Sequence, residues 1–404
     1  MRTPKPTKQS ARQRARHTTD GTAFATPQPD QPTAWLGGLT PNAFMRRHWQ
    51  KKPLLVRNAF APDFAPIAID DVLALCSHDT VEARMVRSTK RGGWQLQHGP
   101  FAADEIPSPS SPNWTVLVQQ LNTCMAKADR FLDAFRFIPE ARLDDLMASV
   151  AGPGGGIGAH VDSYDVFLIQ AAGQRRWEIA ESFCADLEED VPLKILKAFQ
   201  AEEDWVLNPG DLLYLPPNVA HRGTAVGAGC MTWSVGFRAP NRVSLADAVW
   251  ARHLDRLADC DWSDPWLTAT ATTGEIPERL VRDLARWVRT SLPGPDAIAQ
   301  AIAEVLSEPA PQAVFEPPRR PHSPAQFAQT LAKRGVRLAP ACRLLYLKDR
   351  FFINGEPVAG PLTRQSKICL RRLADQRHLN PINSVEDSGG VLYDMYRAGW
   401  IVYD

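Results

Sequence analysis

Short apolar runs that end at glycine or proline dominate the middle of this 404-residue chain and constrain its fold more than any other feature. Between residues 143 and 239, strands are predicted in LMASVA, HVDSYDVFLIQA, RRWEIA, DWVLNPGDLLYLPP, AHRGTAV and CMTWSVGF. Many short strands separated by turn signals are typical of a β-barrel or β-sandwich. Helical patterns flank this region, so the sequence predicts a mainly β protein with added helices.

The segment GAHVDSYD places His160 and Asp162 two residues apart. Side chains alternate along a strand, so both would lie on one face, together with Tyr164. A buried imidazole beside a buried carboxylate is costly unless something charged lies between them. A second histidine, His221, follows a Pro-Gly-Asp turn in NPGDLLYLPPNVAHRG. Two histidines and one carboxylate form the facial ligand set of non-haem Fe(II) oxygenases, so an iron site is predicted here.

Two neighbouring arginines lie in the predicted strand RRWEI, and alternation sends Arg175 and Arg176 to opposite faces. An arginine inside a barrel beside a metal needs an anionic partner, and its planar fork suits a carboxylate. Arg175 therefore matches a dicarboxylate cosubstrate that is bound by the metal at one end and by arginine at the other. Arg176 is then expected at the surface.

The strand predicted in DDLMASV carries polar side chains on one face. Asp145, Met147 and Ser149 share that face, which would offer the barrel interior a carboxylate, an apolar contact and a hydroxyl. In CMTWSVGF, Thr232 and Ser234 share a face in the same way.

Composition argues for a soluble protein of a reducing compartment. The formal net charge is +1, so no charge excess points to nucleic acid or membrane. Seven scattered cysteines form no C-x-x-C pair, which argues against a disulfide framework and a zinc–thiolate site. No apolar run is long enough to span a bilayer, and the N-terminus lacks a secretory core. A cytoplasmic location is expected.

Changes in pattern divide the chain into four parts. Thr40 and Pro41 are predicted to begin a helix, and AIDDVLALCS and WTVLVQQLNTCM also have helical patterns. Helices follow Pro240, and a proline-rich linker precedes helices and an Asn-Gly hairpin of winged-helix character. The predicted parts are a disordered basic tail (1–32), a catalytic barrel (33–240), a helical region with linker (241–318) and a winged-helix-like domain (319–404).

Four segments resemble the bacterial YcfD-type ribosomal oxygenases, which are JmjC-type, cupin-related 2-oxoglutarate-dependent enzymes. They are LTPNAFMRRHWQKKPLLVRNAF, DDLMASVAGPGGGIGAHVDSYDVFLIQAAGQRRWEI, PGDLLYLPPNVAHRGTAV and MTWSVGFRAP. The resemblance covers roughly residues 33–404 and is strongest over 143–240. It implies a JmjC double-stranded β-helix (a cupin-like jelly roll), then a helical dimerisation region and a C-terminal winged-helix-like domain.

The resemblance implies hydroxylation of an arginine side chain at its β-carbon in the large-subunit ribosomal protein L-sixteen. Fe(II) is the implied cofactor, with 2-oxoglutarate and O₂ as cosubstrates, in a cytoplasmic homodimer. The implied residues are His160, Asp162 and His221 as iron ligands, Arg175 on the distal carboxylate of 2-oxoglutarate, Ser149 near that cosubstrate, and Asp145, Met147, Tyr164 and Ser234 in the substrate-arginine pocket. The chain departs from the family at Thr232 and Trp233, where asparagine and tyrosine are expected.

Two alternatives remain open at this point. The first is a JmjC-type hydroxylase or demethylase of another protein side chain, or an oxygenase of a small molecule. The second is a catalytically idle module that binds ribosome or RNA through the basic tail and through Arg371 and Arg372. The intact ligand set and Arg175 favour an enzyme, for which direct binding of nucleic acid is not required.

Overall fold

The computed structural model describes residues 24–89, 93–382 and 389–404. Its N-terminal region contains α1 (Pro41–Arg47), β1 (Leu54–Val56), α2 (Ile69–Leu75), β2 (Ala83–Ser88), β3 (Trp94–His98), β4 (Trp114–Val118), α3 (Leu121–Cys124), α4 (Ala126–Phe131), β5 (Leu143–Ala151), β6 (His160–Val161), β7 (Val166–Ala180), β8 (Glu203–Leu207), β9 (Leu212–Leu215) and β10 (Ala220–Phe237), with short 3₁₀ helices at Ala34–Leu36 and Leu132–Phe135. The predicted cap is confirmed, because the Thr40 side chain accepts from the Ala43 amide.

All these strands join one antiparallel sheet, in the order β1-β9-β7-β10-β5-β4-β2-β3, with β6 on β10 and β8 on β7. The long strands β7 and β10 pair with each other, and each changes its other partner along its length. β7 pairs first with β9 and later with β8, and β10 pairs first with β6 and later with β5. Two long strands shared in this way fold the sheet over itself, which gives the expected jelly roll.

Glycine permits the bend in the strand pair. Gly173 has φ 59° on β7, and a Cβ there would lie 2.6 Å from the carbonyl oxygen of Gly229. The β7–β10 register shifts in the same place, between Val226 and Met231. A larger side chain would therefore clash at the point where the two layers meet.

Strand alternation separates an apolar face from a polar one. One face of β5 and β10 packs in a large aromatic core with the N-terminal helices, through Leu146, Ala148, Val150, Trp233 and Val235. The opposite face lines the barrel interior with Asp145, Met147, Ser149, Thr232 and Ser234. Polar groups inside a barrel of this size mark a ligand site, because burial of unused polar groups is unfavourable.

A helical region follows, made of α5 (Arg242–Leu254), α6 (Glu278–Thr290) and α7 (Pro295–Leu306). Buried Glu304 of α7 accepts a hydrogen bond from Arg256, which lies just beyond α5, and so ties the two helices together. Helix α6 is different, because none of its residues is buried. Its apolar stripe includes Val281 and Val288, which are 53% and 58% exposed.

The C-terminal region has winged-helix character. It consists of α8 (Pro324–Arg334), β11 (Val336–Leu338), β12 (Leu344–Leu347), β13 (Arg350–Ile353), β14 (Glu356–Pro357), α9 (Arg364–Gln376), β15 (His378–Leu379), α10 (Gly389–Arg397) and β16 (Ile401–Tyr403). The predicted hairpin turn lies at Asn354 and Gly355, which have φ 51° and 90°. The region has its own hydrophobic core, built around Phe327, Leu331 and Leu370.

Several sequence-based predictions need correction. WTVLVQQLNTCM is not one helix: Trp114, Val116 and Val118 alternate into the main core as β4, and only α3 follows. HVDSYDVFLIQA is not one strand, because β6 ends at Val161 and β7 begins at Val166. RRWEIA is not a separate strand, because it continues β7.

The predicted tail 1–32 is also too long. Phe24 packs edge-on against Phe131 with ring centroids 5.0 Å apart, and the Thr26 hydroxyl donates to the Asp133 carbonyl. The rest of that prediction, residues 1–23, lies outside the described residues.

Candidate metal centre

Strand pairing brings the two predicted histidine ligands together. His160 on β6 and His221 on β10 are direct partners in an antiparallel register. Directly opposed residues of such a pair project on the same side of the sheet, so the two rings face each other with centroids 4.2 Å apart. The H-x-D motif therefore meets the distant histidine by a backbone contact.

Main-chain carbonyls orient both imidazoles. Nδ1 of His160 lies 3.1 Å from the Gly158 carbonyl oxygen, and Nδ1 of His221 lies 3.0 Å from that of Val219. An Nδ1–H bonded to a carbonyl leaves Nε2 as the free lone pair, which is the usual arrangement around a metal.

The carboxylate of Asp162 faces the two free nitrogens. Its Oδ2 lies 3.9 Å from Nε2 of His160 and 3.7 Å from Nε2 of His221. The ligand atoms of all three residues lie within 4.8 Å of one another. Burial, followed by the proximity of His160, lowers the pKa of His221 to about 3, so its imidazole is neutral. Two imidazoles and one carboxylate are a donor set that suits Fe(II).

Arg175 projects into the interior from the same strand pair. It is 4% exposed and lies opposite Ala225, on the same face of β7 as Trp177 and Ile179. Ile179 is the partner of His221, so the arginine backbone lies about 13 Å further along the strand from the metal ligands. Arg176 points outward and pairs with Asp204, as predicted.

The Arg175 guanidinium has unused donors. Among the described residues, its Nε and Nη2 have no hydrogen-bond partner although both atoms are buried. A buried guanidinium in that state requires an anionic ligand. A dicarboxylate such as 2-oxoglutarate would supply that anion.

Ser149 and Thr232 are direct partners on β5 and β10. The Ser149 hydroxyl donates to the Thr232 carbonyl at 3.4 Å, and the Thr232 hydroxyl donates to the side-chain carbonyl of Gln170. Trp233, the other departure from the family pattern, points away from the interior into the main core. Gln170 is an interior polar residue that the sequence analysis missed, because its strand reads as uniformly apolar.

The predicted substrate residues occupy the adjacent end of the same face. Met147 pairs with Ser234, and Asp145 lies two residues before Met147 on β5. The Asp145 carboxylate accepts from the Gln120 amide at 2.8 Å. Burial raises its pKa to about 7, with further increases from Asp144 and Glu82.

Tyr164 lies in the turn between β6 and β7, where it is 38% exposed. Partial burial and the neighbouring Asp162 carboxylate raise the pKa of its hydroxyl.

The sequence did not reveal Gln120 as the anchor of Asp145, because its contribution is a backbone amide in a left-handed turn (φ 53°).

Comparison with known proteins gives a consistent result. A JmjC domain profile matches residues 130–245, and a ROXA-like winged helix profile matches residues 283–401. The Escherichia coli (strain K12) ribosomal protein uL16 3-hydroxylase is 34% identical over 328 residues, which are 79% of this chain and 85% of the relative. The chain belongs to the YcfD-type ribosomal oxygenases.

Solved structures of this family agree. The structure of Escherichia coli YcfD in complex with cobalt and 2-oxoglutarate has a TM-score of 0.76 at 31% identity, covering 91% of this chain and 98% of that one. A Haemophilus influenzae probable ribosomal oxygenase is 29% identical over 85% of this chain and 87% of its own length. The chain is thus a JmjC-type oxygenase that depends on Fe(II) and 2-oxoglutarate, as predicted. Within the described residues, no helix has the length and apolar character needed to cross a membrane.

Proposed function

We propose that this protein hydroxylates the β-carbon of an arginine side chain in the large-subunit ribosomal protein L-sixteen (uL16). The observation that carries the proposal is the sharing of one interior face by three features. They are the His160–Asp162–His221 cluster, the unpaired donors of Arg175 and the buried Asp145 carboxylate.

Iron and 2-oxoglutarate supply the oxidising chemistry when bound, with O₂ as the second cosubstrate. We assign iron binding to His160, Asp162 and His221, and neighbouring carbonyls fix the orientation of the two imidazoles. Arg175 holds the distal carboxylate of 2-oxoglutarate through its free Nε and Nη2. Ser149 contributes a hydroxyl beside the same cosubstrate. The enclosed interior keeps these charged contacts away from bulk water, which strengthens them.

Recognition of the substrate is assigned to the neighbouring residues. Asp145 pairs with the guanidinium of the substrate arginine, while Met147 and Tyr164 lie on either side of its alkyl stem. Ser234 completes the pocket as the partner of Met147. An acidic, partly aromatic pocket favours a cationic side chain over a neutral metabolite.

We also propose a homodimer in the cytoplasm. The exposed apolar stripe of α6 supports association with a second copy, because an apolar helix face in water is unfavourable. A ribosomal substrate supports the cytoplasmic location. The idle RNA-binding alternative is disfavoured because Arg371 donates to Asp349 and to the Lys348 carbonyl.

The proposed division of the chain keeps the boundaries of the sequence analysis, apart from the packed residues 24–32. It assigns catalysis to the region that ends near residue 240, association to 241–318 and a winged-helix-like unit to 319–404. The family profiles at 130–245 and 283–401 support this order of regions.

The test is mass spectrometry of purified uL16 after incubation with the protein, Fe(II), 2-oxoglutarate and O₂. We expect one added oxygen atom on one arginine, located to the β-carbon by fragmentation and amino-acid analysis. Turnover of 2-oxoglutarate to succinate without modified uL16 would keep the oxygenase and overturn the substrate. Iron binding without succinate formation would overturn catalysis and favour the binding module.

A further inference from the structure

Arg343 of the winged-helix region reaches into the catalytic sheet. It directly precedes β12, is 8% exposed, and donates from Nη1 to the Glu140 carbonyl (3.2 Å) and from Nη2 to the Asp144 carbonyl (2.8 Å). Both of these bonds end on main-chain oxygens rather than on a carboxylate. A buried cation placed in this way fixes the path of the backbone it touches, because moving that backbone leaves the cation without acceptors.

The backbone in question is the start of β5. Asp144 immediately precedes Asp145, the residue assigned to the substrate guanidinium. On the other side, the Leu146 amide donates to Oδ1 of Asn122 at 2.9 Å. Asp145 therefore lies between an anchor from the winged-helix region and an anchor from the catalytic region.

Arg343 is itself held firmly within the winged-helix region. Its amide donates to Oδ1 of Asn354 at 2.9 Å, and the Asn354 amide donates back to the Arg343 carbonyl at 3.0 Å. Next to it, Arg377 donates from Nη1 to the Cys342 carbonyl at 3.0 Å. The guanidinium thus projects from a braced hairpin rather than from a free loop.

Electrostatics supports the same role. Burial raises the pKa of Asp145 most, with smaller increases from Asp144 and Glu82, while the Gln120 amide and, to a lesser extent, the charge of Arg343 lower it. Burial lowers the pKa of Arg343 itself to about 10, so it stays charged at neutral pH. Its position favours the ionised carboxylate that a cationic substrate requires.

We propose that Arg343 is a positioning residue of the substrate pocket, through which the winged-helix region holds the Asp145 segment in its binding geometry. This inference rests on the proposed function, since it takes Asp145 as the partner of the substrate arginine. It assigns the C-terminal region a part in substrate recognition that needs no contact with nucleic acid.

The test compares Arg343→Met and Arg343→Lys with the unaltered full-length protein. We expect Arg343→Met to raise KM for a uL16 fragment about tenfold, because a displaced anchor misplaces the carboxylate. KM for 2-oxoglutarate and succinate formation without the fragment are expected to stay unchanged, since Arg175 lies elsewhere. Arg343→Lys keeps the charge and one donor group, so it is expected to recover part of the affinity.

Two further variants separate positioning from general damage. Asn354→Gly keeps the turn but removes the side-chain Oδ1 that accepts from the Arg343 amide, and we expect a smaller rise in the fragment KM. Arg371→Met, in the same region, is the control expected to leave both KM values unchanged.

Each alternative result has one meaning. An unchanged fragment KM in Arg343→Met, or equal rises in both KM values, overturns the positioning role while leaving the proposed function intact. Unaltered protein that does not modify the fragment overturns the proposed substrate, and the positioning role with it.

Discussion

The barrel interior has a candidate metal end, formed by His160, Asp162 and His221, and a proposed substrate end around Asp145. The two ends are built in different ways. At the metal end, His160 and His221 are direct strand partners, and each is oriented by the carbonyl two residues before it. At the substrate end, Asp145 is held by an amide 25 residues away, and its neighbour Asp144 by a guanidinium 199 residues away. The first end is assembled by strand pairing within the catalytic region, and the second depends also on a separate region of the chain.

This difference separates two properties of the enzyme. Ligands fixed by sheet pairing keep their geometry as long as β6 and β10 pair. A carboxylate fixed by remote anchors can change its position without disturbing the iron site. Substrate affinity is therefore expected to be the property that variation in the winged-helix region alters.

The largest expected effect tests the metal end. His160→Ala removes one ligand while β6 and β10 keep their backbone pairing, so we expect hydroxylation to fall more than about 100-fold, since even loss of outer hydrogen bonds around a metal costs up to that much. Iron content, measured on the purified variant, is expected to fall as well. A variant with normal iron content and turnover would remove His160 from the ligand set.

The same contrast explains what the sequence could predict. His160, Asp162 and His221 are predicted from residue type and spacing, and Arg175 from alternation along a strand. The family resemblance adds the jelly roll. The direct pairing of His160 with His221 is visible only in the structure. Arg343 was out of reach because nothing in its local sequence records a contact with Asp144 across the chain. The strand at Trp114 was predicted as a helix because a fully buried strand and a buried helix share the same apolar composition.

The second-largest expected effect tests Arg175, which is assigned to the cosubstrate. Arg175→Met is expected to raise KM for 2-oxoglutarate about 30-fold or more, because it removes a buried charged donor from a carboxylate. Iron binding is expected to remain normal. Arg176→Met, one residue along on the outer face and paired with Asp204, is the matched control. Equal effects from the two substitutions would contradict the assignment of the inner arginine.

A smaller effect is expected at the substrate end. Asp145→Asn is expected to raise KM for a uL16 fragment about tenfold by removing the charge partner of the substrate guanidinium, with KM for 2-oxoglutarate unchanged. Because the pKa of Asp145 is raised to about 7, the carboxylate becomes ionised as pH rises through neutrality.

This titration gives the prediction a second measurement. In the unaltered protein, the fragment KM is expected to fall between about pH 6 and about pH 8, since the ionised carboxylate binds the cation. Burial, the hydrogen bond from the Gln120 amide and the charges of Asp144, Glu82 and Arg343 set this pKa, and none of these groups changes in Asp145→Asn. The variant is expected to lose the pH dependence, and a variant that kept it would assign the titration to another group.

The smallest effect on catalysis is expected outside both ends, on the exposed stripe of α6. Val281→Glu places a charge on that stripe, so we expect the proposed homodimer to dissociate, measured by sedimentation at several protein concentrations. Arg282→Glu, on the opposite face of the same helix, is the control expected to leave the dimer intact. Because neither the iron ligands nor the Asp145 anchors involve α6, kcat and both KM values of the dissociated variant are expected to stay within about twofold of the unaltered protein. Loss of activity together with the dimer would show that the partner copy contributes to the metal end or to the substrate end.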